Sequence, residues 1–187
     1  YKLDISSKKS ISKFLKKISK IKFDIIIFLS AQTNTKSNLK LSKFGNLNKE
    51  TFSNYLLLNC FYNIKLFEYL YKNRNIKRIS KVIFFSSSAG SITLRGKYQH
   101  HKKKGNLIYR ISKAALNCAV KNLSYDFKNY PILINSLHPG FVNAGSGKNQ
   151  GNISGKLFAD KAYRTISKLR KEHGEFFINY DGKKLKW

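Results

Sequence analysis

Lys81–Gly90 reads KVIFFSSSAG, a β-branched and aromatic run that stops at three serines, an alanine and a glycine. Apolar residues at successive positions, rather than alternate ones, mark a strand covered on both faces of a parallel sheet. Phe23–Ser30 (FDIIIFLS) and Pro131–Leu137 (PILINSL) repeat the pattern, the latter broken by His138, Pro139 and Gly140. Helical spacing fills the intervals. Glu50–Tyr71 is long and apolar, and Leu107–Phe127 sets Leu107, Ile111, Ala114, Ala115, Cys118 and Ala119 on one side. Ser6 or Ser7 caps a basic helix over Lys8–Lys20, and a further helix is expected around Gly155–Lys171. Lys2–Ile5 and Glu175–Asn179 read as short strands; Ala31–Asn48, Ser91–Gly105 and Val142–Ser154 read as loops. Strands alternating with helices, without hairpin signals, require crossover connections. The expected fold is α/β, a Rossmann-like, doubly wound parallel sheet forming one domain over residues 1–187.

Composition narrows the classes. The chain has 187 residues, 42% hydrophobic and 14% aromatic, which argues against disorder. Two cysteines are too few for a disulfide scaffold. The longest purely apolar run, Ile25–Leu29, falls far short of the roughly 20 residues that span a bilayer. The chain opens on Tyr1 and has no methionine, which reads as a fragment or trimmed chain. No targeting peptide is visible, and a cytoplasmic location is expected. A net charge of +28 invites a nucleic-acid reading. The lysines are nevertheless spread along the whole chain. Only His100–Lys104 and Lys183–Lys186 are dense, and neither interleaves aromatic residues as a stacking platform does. A solvated basic surface is the better reading, with no specific nucleic-acid partner.

In such sheets function gathers outside the carboxyl ends of the strands. The serines after KVIFF, the His138-Pro139-Gly140 turn and Ser30 all stand there. Tyr109 and Lys113 lie four apart on the helix 107–127, hence on one face. An ammonium at ~4 Å from a phenol, at an effective dielectric of ~20, favours the phenolate by ~4 kcal/mol, about three pKa units. Such a pull would bring the tyrosine toward about 7, where it exchanges protons at physiological pH. A serine hydroxyl beside it would hold a substrate oxygen. Alone the pair is a weak signal in a chain with 11 tyrosines and many lysines; the order of the motifs decides.

Ser86-Ser87-Ser88-Ala89-Gly90, Tyr109-Arg110-Ile111-Ser112-Lys113-Ala114-Ala115 and His138-Pro139-Gly140-Phe141-Val142, in that order, resemble the motifs of the short-chain dehydrogenase/reductase family. The tail, Gly174-Glu175-Phe176-Phe177 with Tyr180-Asp181-Gly182-Lys183 and Trp187, narrows the resemblance to its C-factor and sniffer-type carbonyl reductases. It implies hydride transfer between a nicotinamide cofactor and a carbonyl or alcohol, with NADP favoured over NAD. By the same resemblance Tyr109 is the acid/base, Lys113 lowers its pKa and holds the nicotinamide ribose, and Ser87 binds the carbonyl oxygen. Asn59 supports a water in the proton relay, Asp4 meets the adenine, and Pro139, Gly140 and Val142 face the nicotinamide. By the same resemblance the helix 107–127 is where a homodimer would form, as in many relatives, while others are monomers, so the oligomeric state stays open.

The sequence also departs from the family. It begins at the third strand, and no Gly-x-x-x-Gly-x-Gly precedes Asp4, so the first two strands and the phosphate turn are absent. Phe23–Ser30 is then expected to expose an apolar edge, and these residues alone to fold poorly and bind dinucleotide weakly. The family's Asn-Asn-Ala-Gly reads here as Leu29-Ser30-Ala31-Gln32, which alters the positions, Ser30 and Ala31, that approach the adenosine ribose. Ala144 stands where a carboxamide-binding threonine is usual. These changes keep open an impaired, enzyme-like scaffold for protein interaction or signalling. Cys60 and Cys118 lie among apolar neighbours and read as buried, inert thiols; His138 reads as structural. No Cys/His/Asp/Glu set has metal-ligand spacing, so no metal is expected.

Overall fold

A computed structural model describes residues 1–33, 40–97, 106–143 and 151–187. Its centre is a sheet in which β1 (Phe23–Phe28), β2 (Ile76–Phe85), β3 (Ile132–His138) and β6 (Phe177–Asn179) run parallel, with β7 (Lys184–Leu185) antiparallel at the far side. A separate two-stranded pair joins β4 (Val142–Asn143) to β5 (Ile153–Ser154). Each parallel step crosses through a helix. The helix α2 (Lys49–Leu56) passes through a π turn at Leu57–Phe61 into α3 (Tyr62–Lys72), linking β1 to β2. Then α4 (Leu107–Asp126) links β2 to β3, and α5 (Gly155–Lys168) precedes β6. The basic helix α1 (Lys8–Lys17) is capped by Ser7, whose hydroxyl accepts from Ser10 N–H.

The two apolar faces of the strands go to two cores. Phe28, Val82, Phe84, Ile132 and Ile134 meet Ile11 and Ile18 near α1, Leu66, Phe67 and Leu70 of α3, and Leu116 and Val120 of α4. On the opposite face, Ile83, Leu133, Leu137 and Ile178 pack against Ile166 and Leu169 at the end of α5. Register sets Phe28 beside Phe84, and their rings stack at 4.6 Å. Asn135, fully buried, donates to the His173 and Phe176 carbonyls and so ties β3 to the segment entering β6. Its Nδ2 is thereby satisfied, while its Oδ1 is buried without a partner among the described residues.

Two expectations need correction. Lys2–Ile5 is not a strand. Among the described residues no strand pairs with it, and the Asp4 carboxylate accepts from Ser6 N–H at 2.9 Å and Ser6 O–H at 2.6 Å, folding the chain into an Asx turn. Nor is β1 covered on both faces. Among the described strands it bonds only to β2, and Ile25 and Ile27 are 40% and 42% exposed because α5 packs over β2, β3 and β6 instead. The exposed apolar edge expected of Phe23–Ser30 is therefore present. Helix α5 ends at Lys168, and β6 starts at Phe177 rather than Glu175, after a 3-10 segment at Lys171–Glu175, and is not the last strand, since β7 follows it. Cys118, expected to be buried, is exposed on α4, and Cys60 is half-buried.

Candidate active site

At the end of β2 the chain leaves the sheet through Ser86 and Ser87 and enters a 3-10 turn, Ser88–Gly90. Ser87 Oγ caps that turn by accepting from Ala89 N–H at 3.1 Å. Gly90 is where the turn meets α4. A Cβ there would stand 2.5 Å from the Lys113 carbonyl carbon and 2.7 Å from Ala114 N, so only glycine lets the two backbones touch. The glycine of the Ser-x-x-Gly pattern thus has a packing reason, and it places Ser87 against the first turns of α4.

Helix α4 brings Tyr109 and Lys113 to the same face. Lys113 is 2% exposed, and its Nζ donates to Phe85 O at 3.0 Å. Burial lowers its pKa from 10.5 to about 8, with the nearby Cys60 thiol pulling slightly the other way. Burial also pushes the Tyr109 phenol above its ordinary value; Ser87 opposes that shift, Tyr55 adds to it, and Arg110 opposes it. The expected drop toward 7 is thus overturned. Lys113 directs its ammonium at Phe85 O, and desolvation outweighs every stabilising charge near the phenol.

Asn59, fully buried, sits in the π turn that interrupts the α2–α3 helix. Its Oδ1 accepts from Gln32 N–H at 2.6 Å; its Nδ2 donates to Gln32 O at 3.1 Å and to Ser112 Oγ at 2.9 Å. Ser112 O–H in turn donates to Tyr109 O at 2.8 Å. One amide therefore fastens the chain leaving β1 to the turn of α4 that carries Tyr109. The side chain expected to serve a water is engaged with protein groups. One helical turn on, Asn63 Nδ2 donates to Ser30 O at 3.1 Å. Ser112, Gln32 and Asn63 are the site residues missed at the level of sequence. Ser112 lies inside the quoted motif, and the Asn59/Asn63 spacing of four was the signal for the other anchor.

The remaining expected residues divide. Ser30 and Ala31 lie exposed just past β1, beside the Asn59 and Asn63 anchors. Pro139, Gly140 and Val142 follow β3 at the same end of the sheet. Gly140 has φ 76°, and a Cβ on it would strike Ile153 Cδ1 at 2.7 Å and Tyr180 Cε1 at 2.8 Å, so this turn needs glycine on both counts. Asp4 stands apart, its exposed carboxylate held below its ordinary pKa by the Ser6 hydroxyl and amide. Ala144 and His100–Lys104 lie outside the described residues. Among the described residues no group of three His, Cys, Asp or Glu could hold a metal, and no helix is long and apolar enough to cross a membrane.

A serine, tyrosine and lysine at the carboxyl ends of a doubly wound sheet agree with what known proteins add. A family model described as enoyl-(acyl carrier protein) reductase matches residues 1–170. The chain belongs to this short-chain dehydrogenase/reductase family. C-signal of Myxococcus xanthus is 34% identical over 83 residues, which are 44% of this chain and 50% of that protein. The chain thus spans about half the length of that relative. The crystal structure of a Burkholderia multivorans short-chain dehydrogenase/reductase with bound NADP superposes with a TM-score of 0.82 at 21% identity, over 99% of this chain and 75% of that one. The Sniffer carbonyl reductase of Drosophila melanogaster gives 0.79 at 23% identity, over 100% and 77%. These structural likenesses show that this short-chain dehydrogenase/reductase shares their fold.

Proposed function

We propose that the protein is a carbonyl reductase that uses a nicotinamide dinucleotide, NADPH before NADH, on small ketones, aldehydes or the corresponding alcohols. The observation that carries this reading is the convergence of Ser87, half-buried Tyr109 and buried Lys113 beyond the end of β2. Such a cofactor, when bound, supplies the hydride. The donor set fits its nicotinamide-ribose end: among the described residues Lys113 directs one hydrogen bond at protein, to Phe85 O, and keeps further N–H donors for ribose hydroxyls. The backbone from Pro139 to Val142 supplies the wall for the ring, and Ser30 and Ala31 supply the approach to the adenosine ribose. Asp4 is the candidate for the adenine.

Tyr109 gives its proton to the carbonyl oxygen as the carbon is reduced, and burial, by keeping the phenol protonated near neutral pH, suits it to that step. Ser87 O–H donates to the same oxygen and stabilises the charge that develops there. Lys113, with a pKa of about 8, is able to exchange a proton near neutrality and so to restore the tyrosine. Asn59 acts as a positioning residue through Ser112. The bound NADP of the Burkholderia protein supports the preferred coenzyme. A homodimer through the outer face of α4 is part of the same reading.

The test uses protein expressed from its full coding sequence, titrated with NADPH and NADH and followed by fluorescence and thermal stability. Carbonyl reduction is expected to fall at least 10³-fold in Tyr109→Phe with coenzyme binding retained, and about 10²–10³-fold in Ser87→Ala. Lys113→Ala is expected to lose binding. A folded protein that binds neither coenzyme overturns the reading in favour of a non-catalytic scaffold.

A further inference from the structure

Lysine is dense at Lys183–Lys186, and the fold sets Lys184 of that run across from helix α5. Between them lies a cavity of about 440 Å³, on the face of the sheet opposite α4. Lys161, Arg164 and Lys168 line it from the helix and Lys184 from β7. Leu169 and Ile178, both buried, close its floor. The walls are fixed to each other. Thr165 O–H donates to Tyr180 O at 2.8 Å, which ties α5 to the turn between β6 and β7. That turn closes on Gly182, whose φ of 88° suits glycine and whose N–H donates to Asn179 O at 2.9 Å.

The four cations are not consumed within the chain. None of the ion pairs among the described residues involves them. Aromatic rings hold two of them: Lys184 Nζ lies 3.5 Å from the ring centroid of Phe176, and Lys161 Nζ 5.9 Å from that of Tyr180. Such a contact positions an ammonium without neutralising it. Cations near the end of a helix commonly offset its dipole, but here Lys81 does so, its Nζ donating to Ile166 O at 2.8 Å and Ser167 O at 2.7 Å. Among the described lining residues Asp181 is the acidic one, and its carboxylate is engaged. Its Oδ1 accepts from Asn179 Nδ2 at 2.8 Å and from Lys183 N–H at 3.2 Å, and its Oδ2 faces Lys183 Nζ at 3.8 Å.

At physiological ionic strength the Debye length is about 8 Å, so cations around one small cavity reinforce one another's field. Four of them suit an anion of several charges better than a single carboxylate. Phosphate groups meet lysine as a point charge and arginine as a planar fork. The volume admits a small molecule and not a macromolecule. We propose that this cavity binds a small molecule carrying two or more phosphate groups. None of the lining residues belongs to the Ser87, Tyr109 and Lys113 group, so binding here does not rest on carbonyl reduction.

The test titrates protein expressed from its full coding sequence with sodium tripolyphosphate in a calorimeter, at about 0.15 M salt. Saturable one-to-one binding is expected. It should weaken at least about tenfold in Arg164→Gln/Lys184→Gln, the size of one charge-assisted hydrogen bond lost. It should change less than about twofold in Lys8→Gln/Lys9→Gln, which removes the same charge from exposed positions of α1. Lys161→Gln/Lys168→Gln reports in its place if the first pair does not fold. Adenosine triphosphate, run beside tripolyphosphate, names the source. Tighter binding that the same pair weakens marks an organic phosphate, and no such binding marks the inorganic anion; either upholds the site. No saturable binding, equal weakening in the α1 pair, or inorganic phosphate held as tightly as tripolyphosphate overturns it.

Discussion

Burial holds the Lys113 amine at a pKa of about 8 against an ordinary 10.5, so this side chain bears on stability as well as on function. Below pH 8 the amine is charged in both folded and unfolded chains, and the folded state carries the full cost, about 3 kcal/mol at 1.36 kcal/mol per pKa unit. Between pH 8 and 10.5 the unfolded chain binds a proton that the folded one does not, so this contribution to stability rises with pH; above 10.5 the cost is gone. Lys113→Met should therefore be more stable than wild type at pH 7. The gain is about 2 kcal/mol once roughly 1 kcal/mol is subtracted for the hydrogen bond to Phe85 O. Urea denaturation at pH 7 and pH 9.5 checks this: the advantage must shrink at the higher pH, and a constant difference would contradict the account.

At the scale of elements, the contact between the serine turn and α4 is the joint on which the site depends. Gly90 packs against backbone atoms of Lys113 and Ala114, which cannot rotate aside as a side chain would. Gly90→Ala must therefore push the turn off the helix, at a cost of about 1–3 kcal/mol, the range seen for overpacked interiors. The expected result is a chain with unchanged far-UV circular dichroism, a lowered melting temperature and at least a tenfold loss of carbonyl reduction. Loss of stability without loss of activity would separate the joint from the site. On the other side of α4, the π turn at Leu57–Phe61 sets Asn59 between Gln32 and Ser112. The exits of β1 and β2, neighbours in the sheet, are thereby held to the same helix.

Across the whole molecule, charge matters most. A formal +28 on 187 residues repels itself in the compact state more than in the expanded one. Raising monovalent salt from about 10 to about 100 mM shortens the Debye length from about 30 to about 10 Å and screens much of that repulsion. The melting temperature should rise, by about 2–4 °C for each kcal/mol recovered in a domain of this size. A fall or no change would mean that local ion pairs, such as Lys77 with Asp24 at 2.8 Å, outweigh the net charge. The flank of β1 is the other global feature. Ile25, Ile27 and Leu29 share one face and are all at least 40% exposed, and among the described strands β1 bonds only to β2.

The alternation of buried strands and helices was legible in the chain alone, because continuous apolar runs and 3.6-residue spacing are local signals that survive without tertiary context. So was the family, through the order of the Ser87, Tyr109 and Pro139 motifs. Whatever depends on neighbours waited for the folded molecule. Lys2–Ile5 reads as a strand until no described strand pairs with it, and Phe23–Phe28 reads as doubly covered until α5 is seen to lie elsewhere. The direction of the Tyr109 shift followed the same rule. Spacing puts Lys113 on the right face, but only the fold sets how much water is removed from the phenol, and here desolvation raises its pKa more than the Ser87 hydrogen bond and Arg110 lower it.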